Sequence, residues 1–149
     1  MENELTIRRM KHDDLDSVLN VEKKSFITPW SKLMFLDELE NIRALYFVAE
    51  VSGIIVGYAG FWIIMDEGHI TNIAVDPSFR RMKIGSRLLE KIIETARENE
   101  VRALTLEVRK SNAAAISMYE KFGFKVEGIR KNYYSDTHED AYIMWRYFW

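Results

Sequence analysis

Residues 72–91 read NIAVDPSFRRMKIGSRLLEK, and three conformations follow one another along them. Asn72–Val75 is an apolar run that stops at Asp76-Pro77. Proline has no N–H to give to a sheet ladder, so a strand ends there. From Ile84 onward, Leu88, Leu89, Ile92, Ile93 and Ala96 recur at helical spacing, which predicts a helix. Between the two lies a basic turn, with Arg80, Arg81 and Lys83 beside the helix start. The first turn of a helix carries unpaired N–H groups and a partial positive charge. Cations added there make an anion site suited to a phosphate or pyrophosphate. The alternative is a solvated basic turn that caps the helix, since phosphate loops are usually richer in glycine.

The next apolar run outward is Ala103–Val108, ALTLEV, and it reads as a buried strand. A strand–helix–strand unit of this length implies a parallel crossover. The carboxyl ends of both strands then share one sheet edge, where ligands of open α/β sheets bind. Glu107 interrupts the second strand, and a carboxylate in such a place loses hydration. Two readings stand: a residue turned to solvent or paired with Arg109, or a general base whose pKa burial raises. Asn112 and Tyr119 follow on a short predicted helix, two turns apart and on one face. Asn112 is most simply an N-cap. Tyr119 is either core with its hydroxyl at the surface, or an acid toward a leaving group of lower pKa. His69 and His138 have no partner at metal-ligand spacing, so no metal is expected.

The remaining elements follow the same rules. Leu5–Arg9 alternates as a first strand, and Leu15, Val18, Leu19 and Val21 form one face of a helix behind His12-Asp13-Asp14. The pattern breaks at Ser25–Pro29, and a second helix is predicted over Trp30–Leu39. Leu45–Val51 and Ile54–Met65 form a hairpin around Ser52-Gly53, followed by a strand at Gly68–Val75. Phe124–Tyr134 and Glu139–Phe148 are two more strands. The 149 residues are read as one domain, residues 1–149, α/β with a mixed sheet of about seven strands. A net charge of −2 gives no general basic field for nucleic acid. The absence of cysteine excludes disulfides and thiol catalysis. No apolar run is long enough for a membrane span, and no signal peptide is visible, so the expected location is cytoplasmic.

The order NIAVDPSFRRMKIGSRLLE, LTLEVRKSNAAAISMYEKFGF, IRKNYY resembles the GNAT acyltransferase superfamily over essentially the whole chain. LEVR, SNAAAISMYEKFGF, NYY and the early FITPWS are similar to its ribosomal-protein alanine N-acetyltransferase (RimI) type. The resemblance implies a single-domain GNAT fold, α+β with a mostly antiparallel sheet. It implies acetyl-CoA as donor and a protein N-terminal amine as acceptor, on a ribosomal protein beginning with alanine. By resemblance, Ile73, Ala74 and Val75 pair with the pantetheine arm, while Arg81, Met82, Lys83, Ile84, Gly85 and Ser86 cradle the pyrophosphate. Asn112 would contact the cofactor, Glu107 would be the base, and Tyr119 would protonate the departing thiolate. Phe26, Trp30, Tyr133 and Tyr134 are the expected acceptor walls, with core packing as the alternative. Lys83 stands where the family turn usually has its first glycine, and Arg81 where a glycine is common in the RimI type. If either position needs positive φ, it is strained. Two other functions fit the same residues: a GNAT enzyme for a small amine or lysine side chain, and an acyl-CoA-binding module without turnover.

Overall fold

A seven-stranded sheet in the order β1-β2-β3-β4-β5-β7-β6 carries the chain. The strands are β1 (Leu5–Arg9), β2 (Ala44–Val51), β3 (Ile54–Ile64), β4 (Glu67–Val75), β5 (Ala103–Arg109), β6 (Lys125–Tyr134) and β7 (Glu139–Tyr147). Four helices accompany them: α1 (Leu15–Ser25), α2 (Lys32–Glu40), α3 (Ile84–Glu98) and α4 (Ala113–Lys121). This computed structural model describes residues 4–80 and 82–148. The predicted elements are present with shifts of a residue or two at their ends. The largest concerns α2: Ser31 caps it by accepting from the Met34 N–H, so Trp30 stands outside the helix predicted to begin with it.

Alternation along the strands sends side chains to two layers. In β2, Phe47 and Ala49 meet α3, whose Ile84, Leu88, Leu89, Ile92 and Ala96 are buried. Tyr46 and Val48 face the other way and pack with Leu15, Val18 and Val21 of α1 and Phe35 of α2. The β2–β3 turn at Ser52-Gly53 has positive φ at both residues, 51° and 80°, as a right-twisted two-residue hairpin requires.

All neighbouring strands are antiparallel except β4 and β5. Their parallel ladder covers only Glu67↔Ala103, Gly68↔Leu104 and His69↔Thr105. Both strands continue, β4 to Val75 and β5 to Arg109, but they no longer pair. The separation coincides with a β-bulge: Gly60 faces Asn72 and Phe61 faces Ile70, so Thr71 is an extra residue. A bulge bends its strand and increases local twist, which turns β4 away from β5. The Thr71 hydroxyl holds the bulge by donating to the Gly60 carbonyl at 3.2 Å. Gly60 itself admits no Cβ, which would lie 2.2 Å from the Tyr46 ring. The sheet therefore opens into a wedge at the carboxyl ends of β4 and β5, an opening that the parallel crossover alone does not predict.

Candidate active site

Two cavities meet in the wedge. One, of about 470 Å³, runs from Ile73, Ala74 and Val75 to Lys83, Ile84, Gly85 and Ser86 at the start of α3. The other, of about 390 Å³, contains His69, Glu107, Phe26, Trp30, Tyr133 and Tyr134. Tyr119 and Asn112 line both. Among the expected site residues, Met82 is 42% exposed and lines neither, and Arg81 lies outside the described residues.

The first cavity has the features a nucleotide-linked thioester needs. Beyond His69 the edge of β4 facing β5 has no ladder partner, so backbone groups there can pair with an extended amide-bearing arm. At the far end, α3 begins without a side-chain cap, leaving its first N–H groups to a ligand. Gly85 keeps that end open: a Cβ would meet only Met118 Sδ at 3.3 Å and Val75 Cγ2 at 3.8 Å. Arg80 and Lys83 both line the cavity. Lys83 is the cap residue and has φ 59° and ψ 28°, the left-handed region. Its position thus requires the conformation for which a glycine is suited, and here a lysine adopts it.

Tyr119 stands at the junction, 7% exposed, edge-on to Phe124 at 5.7 Å. Its hydroxyl has no hydrogen-bond partner among the described residues. Burial, and then the nearby Tyr134, push the phenol well above its ordinary pKa, so it stays protonated. Asn112 is an N-cap, its side chain accepting from the Ala115 N–H at 3.2 Å. Capping fixes α4 with Tyr119 turned into the wedge.

Glu107 is 10% exposed on its side chain and does not pair with Arg109. Oε1 lies 2.7 Å from His69 Nε2, and Oε2 lies 3.5 Å from Arg130 Nε. The expectation of a raised pKa is wrong for this residue. The hydrogen bond from His69, with the charge of Arg130, outweighs desolvation and holds the carboxyl below its ordinary value. His69 was missed because its partner is 38 residues away and becomes a neighbour only through the β4–β5 register. Arg109 packs on Tyr134 instead. It pairs with Asp136 at 2.7 Å and Glu139 at 3.5 Å, and its guanidinium lies 4.0 Å from the centre of the Tyr134 ring. Burial pushes Tyr134 up to about 12, so this ring too is neutral in the working range.

Tyr133 and Tyr134 stand edge to face, centroids 5.0 Å apart, across the wedge from Phe26 and Trp30. The latter pair is held by a buried polar chain. Glu22 accepts from the Trp30 N–H at 2.9 Å and from the Tyr58 hydroxyl, which in turn accepts from Asn72 Nδ2 at 2.9 Å. Burial raises the pKa of Glu22, opposed by the Trp30 and Tyr58 hydrogen bonds. Helical spacing does place Glu22 on the apolar face of α1, four residues after Val18, and that signal marks a buried carboxyl. Among the described residues no group of side chains could hold a metal ion.

The acetyltransferase (GNAT) family model matches residues 15–124. A candidate ribosomal protein bS18-alanine N-acetyltransferase of Bacillus subtilis is 46% identical over 146 residues, 97% of each chain. The crystal structure of the ribosomal-protein-S18-alanine N-acetyltransferase from Escherichia coli superposes with a TM-score of 0.90 at 38% identity, covering 97% of this chain and 94% of that one. A PaiA N-acetyltransferase from Thermoplasma acidophilum, solved with coenzyme A, shares the fold: TM-score 0.83, 22% identity, 97% and 99% coverage. These matches define an acyltransferase. The chain belongs to the GNAT acetyltransferase family, whose members take their acetyl group from acetyl-CoA.

Proposed function

We propose that this enzyme transfers acetyl from acetyl-CoA to the N-terminal α-amine of a protein, a ribosomal protein beginning with alanine being the acceptor class. The observation that carries the reading is the position of Tyr119 on both cavities. The thioester would lie where they meet, with the coenzyme toward α3 and the amine toward Glu107. Ile73, Ala74 and Val75 would receive the pantetheine arm, and Lys83 to Ser86 the pyrophosphate. Of the remaining cradle residues, Arg81 is included by resemblance alone, and Met82 contributes at most its backbone. The four aromatic residues form the acceptor slot. The names of the Bacillus and Escherichia relatives support the acceptor assignment.

The chemistry needs little beyond placement. Two reactants held in register supply much of the rate. An amine attacks only when neutral, and a free α-amine has a pKa of about 7.7–8, so a base near neutrality suffices. A lysine amine, near 10.4, costs roughly 3 kcal/mol more to deprotonate at one pH. An unpaired β4 N–H beyond the bulge would meet the charge that grows on the thioester oxygen. Tyr119, neutral and close to the junction, would give its proton to the departing thiolate.

The test is a panel of peptides differing in the first residue, read by mass spectrometry. Peptides beginning with alanine or another small residue should be acetylated on the α-amine, with internal lysines much slower. Blocking the α-amine should abolish transfer. If the blocked peptide is acetylated on lysine as fast as the free one, the N-terminal assignment is wrong.

A further inference from the structure

The buried chain that runs from Glu22 to the bulge of β4 has a direction. Glu22 is 1% exposed, and Tyr58 is fully buried. Both Glu22 oxygens act as acceptors, Oε2 for the Trp30 N–H at 2.9 Å and Oε1 for the Tyr58 hydroxyl. A phenol has one proton, and Tyr58 gives it to Glu22. Its oxygen can then only accept from the next residue in line. Asn72 must therefore turn its NH2 group inward, and Nδ2 lies 2.9 Å from the Tyr58 oxygen. The two ends of an amide look alike in shape, so the chain that starts at a carboxylate decides which end faces out. The outward end is Oδ1. It has no hydrogen-bond partner among the described residues, yet none of their buried side-chain polar atoms is left unpaired, so Oδ1 is reached from the wedge. Asn72 lines the acceptor cavity and an adjoining one of about 270 Å³ beside Trp30 and Tyr134, but not the cavity that leads to α3.

We infer that Asn72 binds the acceptor: its Oδ1 accepts from an N–H of the attacking amine, and Tyr58 and Glu22 are positioning residues that keep this oxygen outward. An ammonium brings three N–H donors into the wedge, and each one stripped of water needs an acceptor. The oxygens of Glu107 already face His69 and Arg130. Asn72 stands on β4 where that strand has parted from β5, so an amine in the acceptor cavity is held from the side opposite Glu107. A neutral amide suits this place better than a carboxylate. It bonds an ammonium and a free amine alike, whereas a negative charge would favour the ammonium and hold back the proton that must leave before attack. The choice of acceptor follows from the proton count. A primary ammonium loses one proton before attack and a second as the amide forms, and its third N–H stays with Oδ1 throughout. A secondary ammonium loses both of its protons and has none left for Oδ1. The site thus selects primary amines over N-alkylated ones.

The inference rests on the proposed transfer to an amine. The test compares wild type, Asn72→Leu, Tyr58→Phe and the double variant on two peptides, one beginning with alanine and one with N-methylalanine. Asn72→Leu keeps the size of the side chain and loses both polar ends. Its kcat/KM for the alanine peptide should fall about 10–100-fold, the loss of one hydrogen bond to a charged group, with the KM for acetyl-CoA unchanged. It should fall much less for the N-methyl peptide, so the preference between the two shrinks. Tyr58→Phe should lie between wild type and Asn72→Leu and add little in the double variant, because it acts through Asn72. An equal fall on both peptides would show that Asn72 only shapes the slot, and additive effects would show that Tyr58 acts elsewhere; either overturns the proposal. A measurement on the wild type alone decides the matter if Asn72→Leu does not fold. The Asn72 NH2 protons should exchange slowly with water. The Asn72 ¹³Cγ resonance should move when the alanine peptide is added with coenzyme A, and stay with a peptide that has propionyl in place of alanine. Fast exchange, the sign of an oxygen turned inward, or a resonance that ignores the amine overturns the proposal. If the wild type acetylates no peptide, the peptide assignment fails, and the same comparison on a small primary amine and its N-methyl form decides the role of Asn72.

Discussion

Lys83 holds a backbone conformation that its side chain opposes, and replacing it with glycine separates two contributions. At φ 59° a non-glycine residue is about 1–2 kcal/mol less stable than in the right-handed region. Lys83→Gly removes that strain but loses about 0.5–1 kcal/mol through the freer unfolded chain. The net gain is about 0.5–1 kcal/mol, which raises Tm by roughly 1–4 °C for a chain of this size. The same change removes an ammonium from the proposed phosphate cradle. A charge-assisted hydrogen bond contributes about 1.5–3 kcal/mol, and Lys83 is exposed, so the lower end or less applies. Acetyl-CoA should therefore bind about five- to tenfold more weakly. Thermal unfolding of the free protein and calorimetric titration with acetyl-CoA read the two effects. Lys83→Ala keeps the strain and loses the charge, so it should bind as weakly as Lys83→Gly without its gain in Tm. A glycine variant no more stable than the alanine variant would refute the strain argument. Unchanged affinity in both would remove Lys83 from the cradle.

Other perturbations address the rest of the site. Glu107→Gln should bind acetyl-CoA normally and lose about 10²–10⁴-fold in turnover, checked by steady-state kinetics. Tyr58→Phe strips a donor from buried Glu22 and an acceptor from Asn72, and should cost about 1–3 kcal/mol in denaturant unfolding. Its KM for the peptide should rise, and that for acetyl-CoA should not. Asp14 is held below its ordinary pKa chiefly by the Arg8 hydrogen bonds, at 2.8 and 2.9 Å, with the Lys11 N–H adding to them. A depressed pKa means stability present above about pH 4 and lost as pH falls through the folded-state value. Asp14→Asn should be less stable at neutral pH and show a smaller loss between about pH 5 and pH 2, read from urea midpoints.

Much of this architecture is local and therefore visible in the chain. The six apolar positions of α3 from Ile84 to Ala96 are all buried, because one amphipathic face has one way to lie on a sheet. Proline, glycine and cap residues mark the ends of β4, α4 and the β2–β3 hairpin for equally local reasons. What escapes is set by register. One extra residue at Thr71 opens the wedge, and no composition signal distinguishes a bulge from a strand. The sign of the Glu107 shift depends on His69 and Arg130, which lie on two other strands. Burial alone predicts a raised value, and partners from elsewhere reverse it. Glu22 and Glu38 are intermediate cases. Both sit on apolar helix faces, yet the tyrosines that satisfy them, Tyr58 and Tyr46, come from β3 and β2.

The short β4–β5 ladder also has a mechanical meaning. Three residue pairs join a block of β1 to β4 with a block of β5, β7 and β6, and this is the weakest seam in the sheet. On one side α3 bridges it, packed in one core with Phe47 and Phe61 from one block and Leu104 and Leu106 from the other. A sheet joined in this way exchanges its amide hydrogens as two cooperative units rather than one. A thioester lying in the seam would act as a rivet between them. Slower exchange in both blocks when acetyl-CoA is added, well beyond the residues it touches, is how such a join would report itself.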